Sequence, residues 1–150
     1  MNEDIRRKIV TLLDKHRIMT VATLRSDGWP QATTVGYVNQ GLTLYFLCAP
    51  DSQKAKNLLR DDRVSLTIDD DVSNLMAITG LSMAAHACPV NDREEANEVL
   101  RLMPLRYPDC PPPPFPMPTP DDVRIFRVTP EVISLLDYSK GFGHTDLVAC

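Results

Sequence analysis

The stretch best suited to chemistry in this 150-residue chain is Pro50-Asp51-Ser52-Gln53-Lys54-Ala55-Lys56-Asn57. It falls where an apolar, strand-like run from Leu42 to Cys48 gives way to a helical pattern reaching about Arg60. The first N–H groups of a helix have no intrahelical acceptor and attract anions. Ser52 adds a hydroxyl donor and Lys54 a positive charge, so the segment can seat a phosphate. A lysine in the first turn opposes the helix dipole, and a bound anion would offset that cost. The same residues also read as an ordinary helix start, capped by Asp51 or Ser52 with Lys54 in solvent. Taken alone, the motif favours that simpler reading.

Other reactive side chains are scattered. His86 and Cys88 alternate on one strand and could ligate a metal, but no second pair stands at metal spacing, so a lone buried His and Cys is the better account. Asp69-Asp70-Asp71 reads as a solvated charge run. His16 follows a helix end, where a cation is favourable for structure alone. Trp29 sits in a turn, where it could cover a ligand or a dimer groove, or close the edge of a core. The tail Tyr138-Ser139-Lys140-Gly141-Phe142-Gly143-His144-Thr145-Asp146 is rich in aromatics for a tail. It suits docking against a partner subunit or near a cofactor mouth, with fraying as the alternative. No Ser-His-Asp or Cys-His arrangement can be assembled from sequence order.

The elements that position these residues follow from periodicity. Ile5, Ile9, Leu12 and Leu13 recur at helical spacing after a capping Asn2, so the chain opens with a helix to Lys15 or His16. Ile18 to Arg25, Pro30 to Asn39 and Leu42 to Cys48 read as a three-strand meander joined at Asp27-Gly28 and Gln40-Gly41. A helix anchored by Leu58 and Leu59 follows. Val64 to Asp69 alternates as a half-buried strand, and Met76 to Ala87 is a second one, with Gly80 marking a bulge or close backbone approach. Asp92 to Met103 is a helix, and Val123 to Val128 and Val132 to Leu136 are strands on either side of Pro130. Pro108 to Pro120 holds eight of the chain's 13 prolines and reads as an extended surface connector. The whole, residues 1–150, reads as one mainly β domain: about six antiparallel strands in a closed or partly closed barrel with flanking helices.

Composition narrows the class. The net charge is -4 with a pI near 5.3, and no Lys/Arg cluster forms a nucleic-acid footprint. The first residues lack the apolar run of a signal peptide, and no later run is apolar for long enough to span a membrane. Cys48, Cys88, Cys110 and Cys150 form no C-x-x-C pair, so reduced thiols and a cytoplasmic location are expected.

From the first helix to about Asp69, the chain resembles the pyridoxamine 5′-phosphate oxidase-like family of FMN-binding split barrels. The resemblance rests on the Asp-Gly turn, Trp29-Pro30-Gln31-Ala32-Thr33-Thr34-Val35-Gly36-Tyr37, Leu44-Tyr45-Phe46-Leu47-Cys48, Ser52-Gln53-Lys54 before Asn57-Leu58, and Asp61-Asp62-Arg63-Val64-Ser65-Leu66. Val123-Arg124-Ile125-Phe126-Arg127-Val128-Thr129-Pro130 is similar to the family's closing strand. The resemblance implies a split β-barrel of FMN-binding type. It assigns Thr33, Thr34 and Val35 to the strand lining the flavin ring, Phe46, Leu47 and Cys48 to the facing strand, and Ser52, Gln53 and Lys54 to the phosphate and ribityl contacts. It implies a homodimer whose cofactor sites lie at the subunit interface, with Met76 to Thr79 near the partner's flavin, and a flavin oxidoreductase passing hydride through N5. A non-enzymatic flavin module, or the same barrel holding F420 or haem, is the alternative. Gln31 and Ala32 stand where family members often carry a phosphate-holding arginine, which leaves Lys54 and Lys56 to that task. The arginine and histidine that hold substrate phosphate in the vitamin B6 oxidases have no match, so pyridoxamine phosphate is not the expected substrate.

Overall fold

Asn2 opens the first helix by accepting the Asp4 N–H at 2.8 Å, and Glu3 and Asp4 lie at its positive end. In the computed structural model, which describes residues 1–150, this helix (α1) spans Glu3–Lys15 and buries Ile9 and Leu13 completely. It is followed by β1 (Ile18–Leu24), β2 (Pro30–Gly36), β3 (Val38–Gln40), β4 (Thr43–Cys48), α2 (Gln53–Arg60), β5 (Arg63–Asp69), β6 (Thr79–Pro89), α3 (Arg93–Leu102), β7 (Arg124–Asp137) and β8 (Thr145–Ala149). No helix is long and apolar enough to cross a membrane.

All strand pairings are antiparallel, and the order is β2-β1-β5-β6-β7-β4-β3, with β8 beside β7. The two strands at the ends of this order, β2 and β3, are consecutive in the chain and meet at Tyr37. The sheet therefore curls round until one chain segment forms both of its edges, which is a barrel split along a seam. Its interior holds Met19, Val21, Val35, Leu44, Leu66, Met83 and Val128, with the rings of Phe46 and Phe126 stacked at 5.5 Å between centroids. A smaller cluster of Val38, Tyr45 and Ile125 lies outside the barrel beneath Ala96 and Val99 of α3. Tyr45 donates to Glu95 at 2.8 Å, and Arg127 holds the same carboxylate with two contacts of 3.0 Å, which pins α3 to the sheet.

Several sequence expectations need correction. The run from Pro30 to Asn39 is not one strand of a meander. It bends at Tyr37, pairing with β1 before the bend and with β4 after it. Leu59 is exposed, and α2 is anchored by Ala55, Leu58 and a fully buried Asn57. Met76 lies in a 3₁₀ turn (Leu75–Ala77), and its strand begins only at Thr79. At Gly80 a Cβ would meet the Ile68 carbonyl oxygen at 2.8 Å, so this glycine marks a close backbone approach, whereas the bulge falls between Ala84 and Ala85. That bulge explains why Pro130 does not divide β7. Ala84 pairs with Val132 and Ala85 with Pro130, so Glu131 is the extra residue and the missing proline N–H falls where the ladder is already irregular. The sheet has eight strands because the tail, instead of fraying, supplies β8. Pro108 to Pro120 contains neither helix nor strand, as expected, and all four cysteines are free.

Candidate functional site

The start of α2 is built as the sequence suggests and is braced in a way the sequence hides. Ser52 caps the helix, its Oγ accepting the Ala55 N–H at 3.1 Å. The hydroxyl hydrogen stays available, and the amides of Gln53 and Lys54 have no backbone acceptor. Lys54 forms no ion pair. Gln53 turns its side chain back along the helix and donates to Asn57 Oδ1 at 2.8 Å. Asn57 in turn donates to Thr23 Oγ1 at 3.0 Å and to Gln31 Oε1 at 3.2 Å. A buried amide is tolerable only when its donors and acceptor are satisfied, and here that need fastens α2 to both β1 and β2. The far end of the helix is tied down by Arg60, which donates to the Leu24 carbonyl. Gln31 thus occupies the place expected of an arginine as a bracing group and not as a cation.

Strand alternation sorts the remaining candidates. Gln31, Thr33 and Val35 face inward opposite Thr23, Val21 and Met19 of β1, while Ala32, Thr34 and Gly36 face outward. Val35 is part of the core. Thr33 Oγ1 is buried with no hydrogen-bond partner. On β4, Phe46 is wholly inside the barrel and Cys48 packs at its edge, whereas Leu47 points outward towards α3. The outer surface therefore brings together Thr34, Gly36 and Leu47, and only the main chain of Val35 and Phe46 can reach a ligand lying there. β2 pairs with β1 alone, so the outward-directed N–H and C=O groups along its free edge have no strand partner. Beside this surface lies a cleft of about 570 Å³ bordered by Gly36, Leu47, Leu100, Met103 and Met117.

The other candidates stand apart. Trp29 is exposed on the β1–β2 turn. His86 lies between two carboxylates, with Nδ1 2.9 Å from Asp62 and Nε2 2.8 Å from Glu131 at the bulge, and these contacts raise its pKa, Asp62 contributing most. Cys88 leans on the same Asp62, and no group of three or more such side chains is placed to hold a metal ion. His16 bonds the Leu12 carbonyl and pairs with Asp70 at 3.1 Å, so one member of the aspartate run is engaged. Tyr138 and Phe142 of the tail pack edge to face at 5.5 Å. Asn57, Thr23 and Gln31 are the contributors that sequence reasoning missed. The available signal was a lone amide next to Leu58 on a helix whose first turn carries a second amide four residues earlier.

Comparison with curated proteins gives no match. Among solved structures, a conserved hypothetical protein from Mycobacterium tuberculosis is 25% identical over 99% of this chain and 93% of that one, with a TM-score of 0.77. A protein related to general stress protein 26, of the pyridoxinephosphate oxidase family, from Clostridium acetobutylicum is 15% identical over 99% of this chain and 96% of its own, with a TM-score of 0.73. The haem storage protein from Vibrio cholerae is 21% identical over 83% of this chain and 89% of its own, with a TM-score of 0.66. These likenesses are of fold. A family model described as pyridoxamine 5′-phosphate oxidase matches residues 5–137, which takes in all but the first two residues of α1, the strands β1 to β7 and the candidate residues from Thr33 to Lys54. On that match, the chain belongs to the pyridoxamine 5′-phosphate oxidase family.

Proposed function

We propose that this protein binds FMN at the seam of the split barrel and works as a flavin oxidoreductase, as a homodimer. The observation that carries this reading is the pairing of a braced helix start with an unpaired sheet edge. The free amides of Gln53 and Lys54, the Ser52 hydroxyl and the Lys54 ammonium would hold a phosphate. The open edge of β2 at Thr33, Thr34 and Val35 offers main-chain donors and acceptors to a planar heterocycle, with Leu47 on the neighbouring outer surface. When bound, FMN supplies hydride acceptance and return at N5, and the protein supplies placement and electrostatics. Few titratable side chains are then required at the site, in keeping with its lining. Exposed Leu75, Met76, Phe142 and Leu147 support a second copy of the chain as partner.

The test is reconstitution with FMN, followed by desalting, an absorption spectrum and the molar mass of the eluted species. Retained flavin bands on a dimer are expected. Lys54→Ala should weaken FMN binding by roughly tenfold to a hundredfold, the worth of about 1.5–3 kcal/mol for a charge-assisted hydrogen bond. NAD(P)H turnover by the loaded protein would separate an enzyme from a flavin-binding module. A protein that retains haem or F420 but no FMN, or one whose FMN affinity ignores Lys54, sinks the reading.

A further inference from the structure

We propose that the cleft between α3 and the proline-rich segment is the substrate site, and that it takes an uncharged, apolar small molecule and not a phosphorylated one. This rests on the flavin reading for its role in the reaction, and on the cleft's own chemistry for its ligand. The cleft's volume, about 570 Å³, falls within the range of small-molecule sites. Gly36 and Leu47 form its floor, and they continue the outer surface carrying Thr34. A molecule in the cleft therefore lies against the strands assigned to the flavin ring.

Leu100 and Met103 form one wall, and Met117 with Pro118 the other. Two methionines with prolines make an apolar lining that adapts to shape without offering hydrogen bonds. Arg101, the sole charged residue of the lining, is folded onto Glu98 with contacts of 2.9 and 2.6 Å. That pairing holds the Glu98 carboxyl below its usual range and sets a carboxylate beside the guanidinium. A phosphate entering here would lose water and meet a cation already shared with a carboxylate, whereas an apolar ring would gain by leaving water. Asn97 is the one side-chain amide at the cleft and can orient a carbonyl.

The probes are menadione, a neutral quinone, and pyridoxamine 5′-phosphate, each titrated calorimetrically into the protein with and without FMN. Menadione is expected to bind in both forms, with pyridoxamine 5′-phosphate at least tenfold weaker. Met117→Glu places a charge at an exposed position in a segment without regular structure, so folding is not at stake. It should weaken menadione binding by roughly tenfold or more while FMN retention is unchanged. Leu100→Glu on the opposite wall should do the same. If FMN is retained but menadione does not bind, or binds equally to both variants, the cleft assignment falls and the flavin reading stands. If menadione binding depends on Met117 and Leu100 but FMN is not retained, the cleft stands and the flavin reading falls. Tighter binding of pyridoxamine 5′-phosphate than of menadione overturns the ligand class.

Discussion

Replacing Asn57 with alanine tests whether the buried amide holds the site together. Asn57 is 0% exposed and takes part in three side-chain hydrogen bonds. Asn57→Ala removes all three and strands Thr23 Oγ1, itself 2% exposed, in a dry environment. At about 1 kcal/mol for each neutral bond, the expected loss is roughly 3 kcal/mol, and the unsatisfied Thr23 hydroxyl moves it upward. For a chain of this length that is a fall of roughly 6–12 °C in Tm. Urea unfolding followed by circular dichroism gives the free energy directly, provided the m-value stays constant. Thr23→Val should cost less, because its methyl groups fill the same space. The double variant should fall well short of the sum, since one bond is shared. A loss below about 0.5 kcal/mol for Asn57→Ala, the range of ordinary surface changes, would refute the bracing role, as would strict additivity with Thr23→Val.

Two further outcomes follow from packing and charge. Gly80→Ala should destabilise by about 1–3 kcal/mol in thermal unfolding, because its Cβ would lie 2.8 Å from the Ile68 carbonyl oxygen and 3.2 Å from Asp69 Cβ. Gly36→Ala should be nearly neutral, its Cβ meeting the Tyr107 hydroxyl at an ordinary 3.6 Å, and equal effects at the two positions would contradict the account. His86 has its pKa raised in the folded chain by Asp62 and then Glu131. Its contribution is therefore fully present below the unfolded value of about 6.5 and is lost as pH rises through the higher folded value. The gap in urea midpoint between wild type and His86→Gln should be widest in mild acid and should close towards alkaline pH. A gap constant across that range would show that the imidazole charge is irrelevant there.

Local chemistry made the helices legible. Asn2, Ser52 and Asp92 each cap the helix that follows them, and the alternation at Val64, Leu66 and Ile68 marked β5 without ambiguity. What could not be read locally was pairing across distance. Nothing near Tyr37 shows that the segment before it joins β1 and the segment after it joins β4. The bulge that admits Pro130 depends on β6, more than forty residues earlier in the chain. β8 escaped because its apolar alternation is short and its partner strand does the ordering. At the site, Ser52 and Lys54 were visible because helix starts have a signature. The Asn57 network was hidden because its partners lie 34 and 26 residues away.

The bend at Tyr37 has a mechanical consequence. β2 and β3 are two arms of one lever, and the pivot is clamped: the Tyr37 hydroxyl donates to the Leu13 carbonyl at 2.7 Å, and Arg106 lies over its ring while donating to the Leu13 and His16 carbonyls. Burial pushes the Tyr37 phenol up to about 12, so the clamp does not ionise at ordinary pH. A ligand that moves the free edge of β2 must therefore work against α1 and Arg106. From the same pivot the chain continues into β3, which pairs with β4 on the opposite lip of the seam. Both lips are thus anchored at one residue, and the slot between them is framed from a point outside it.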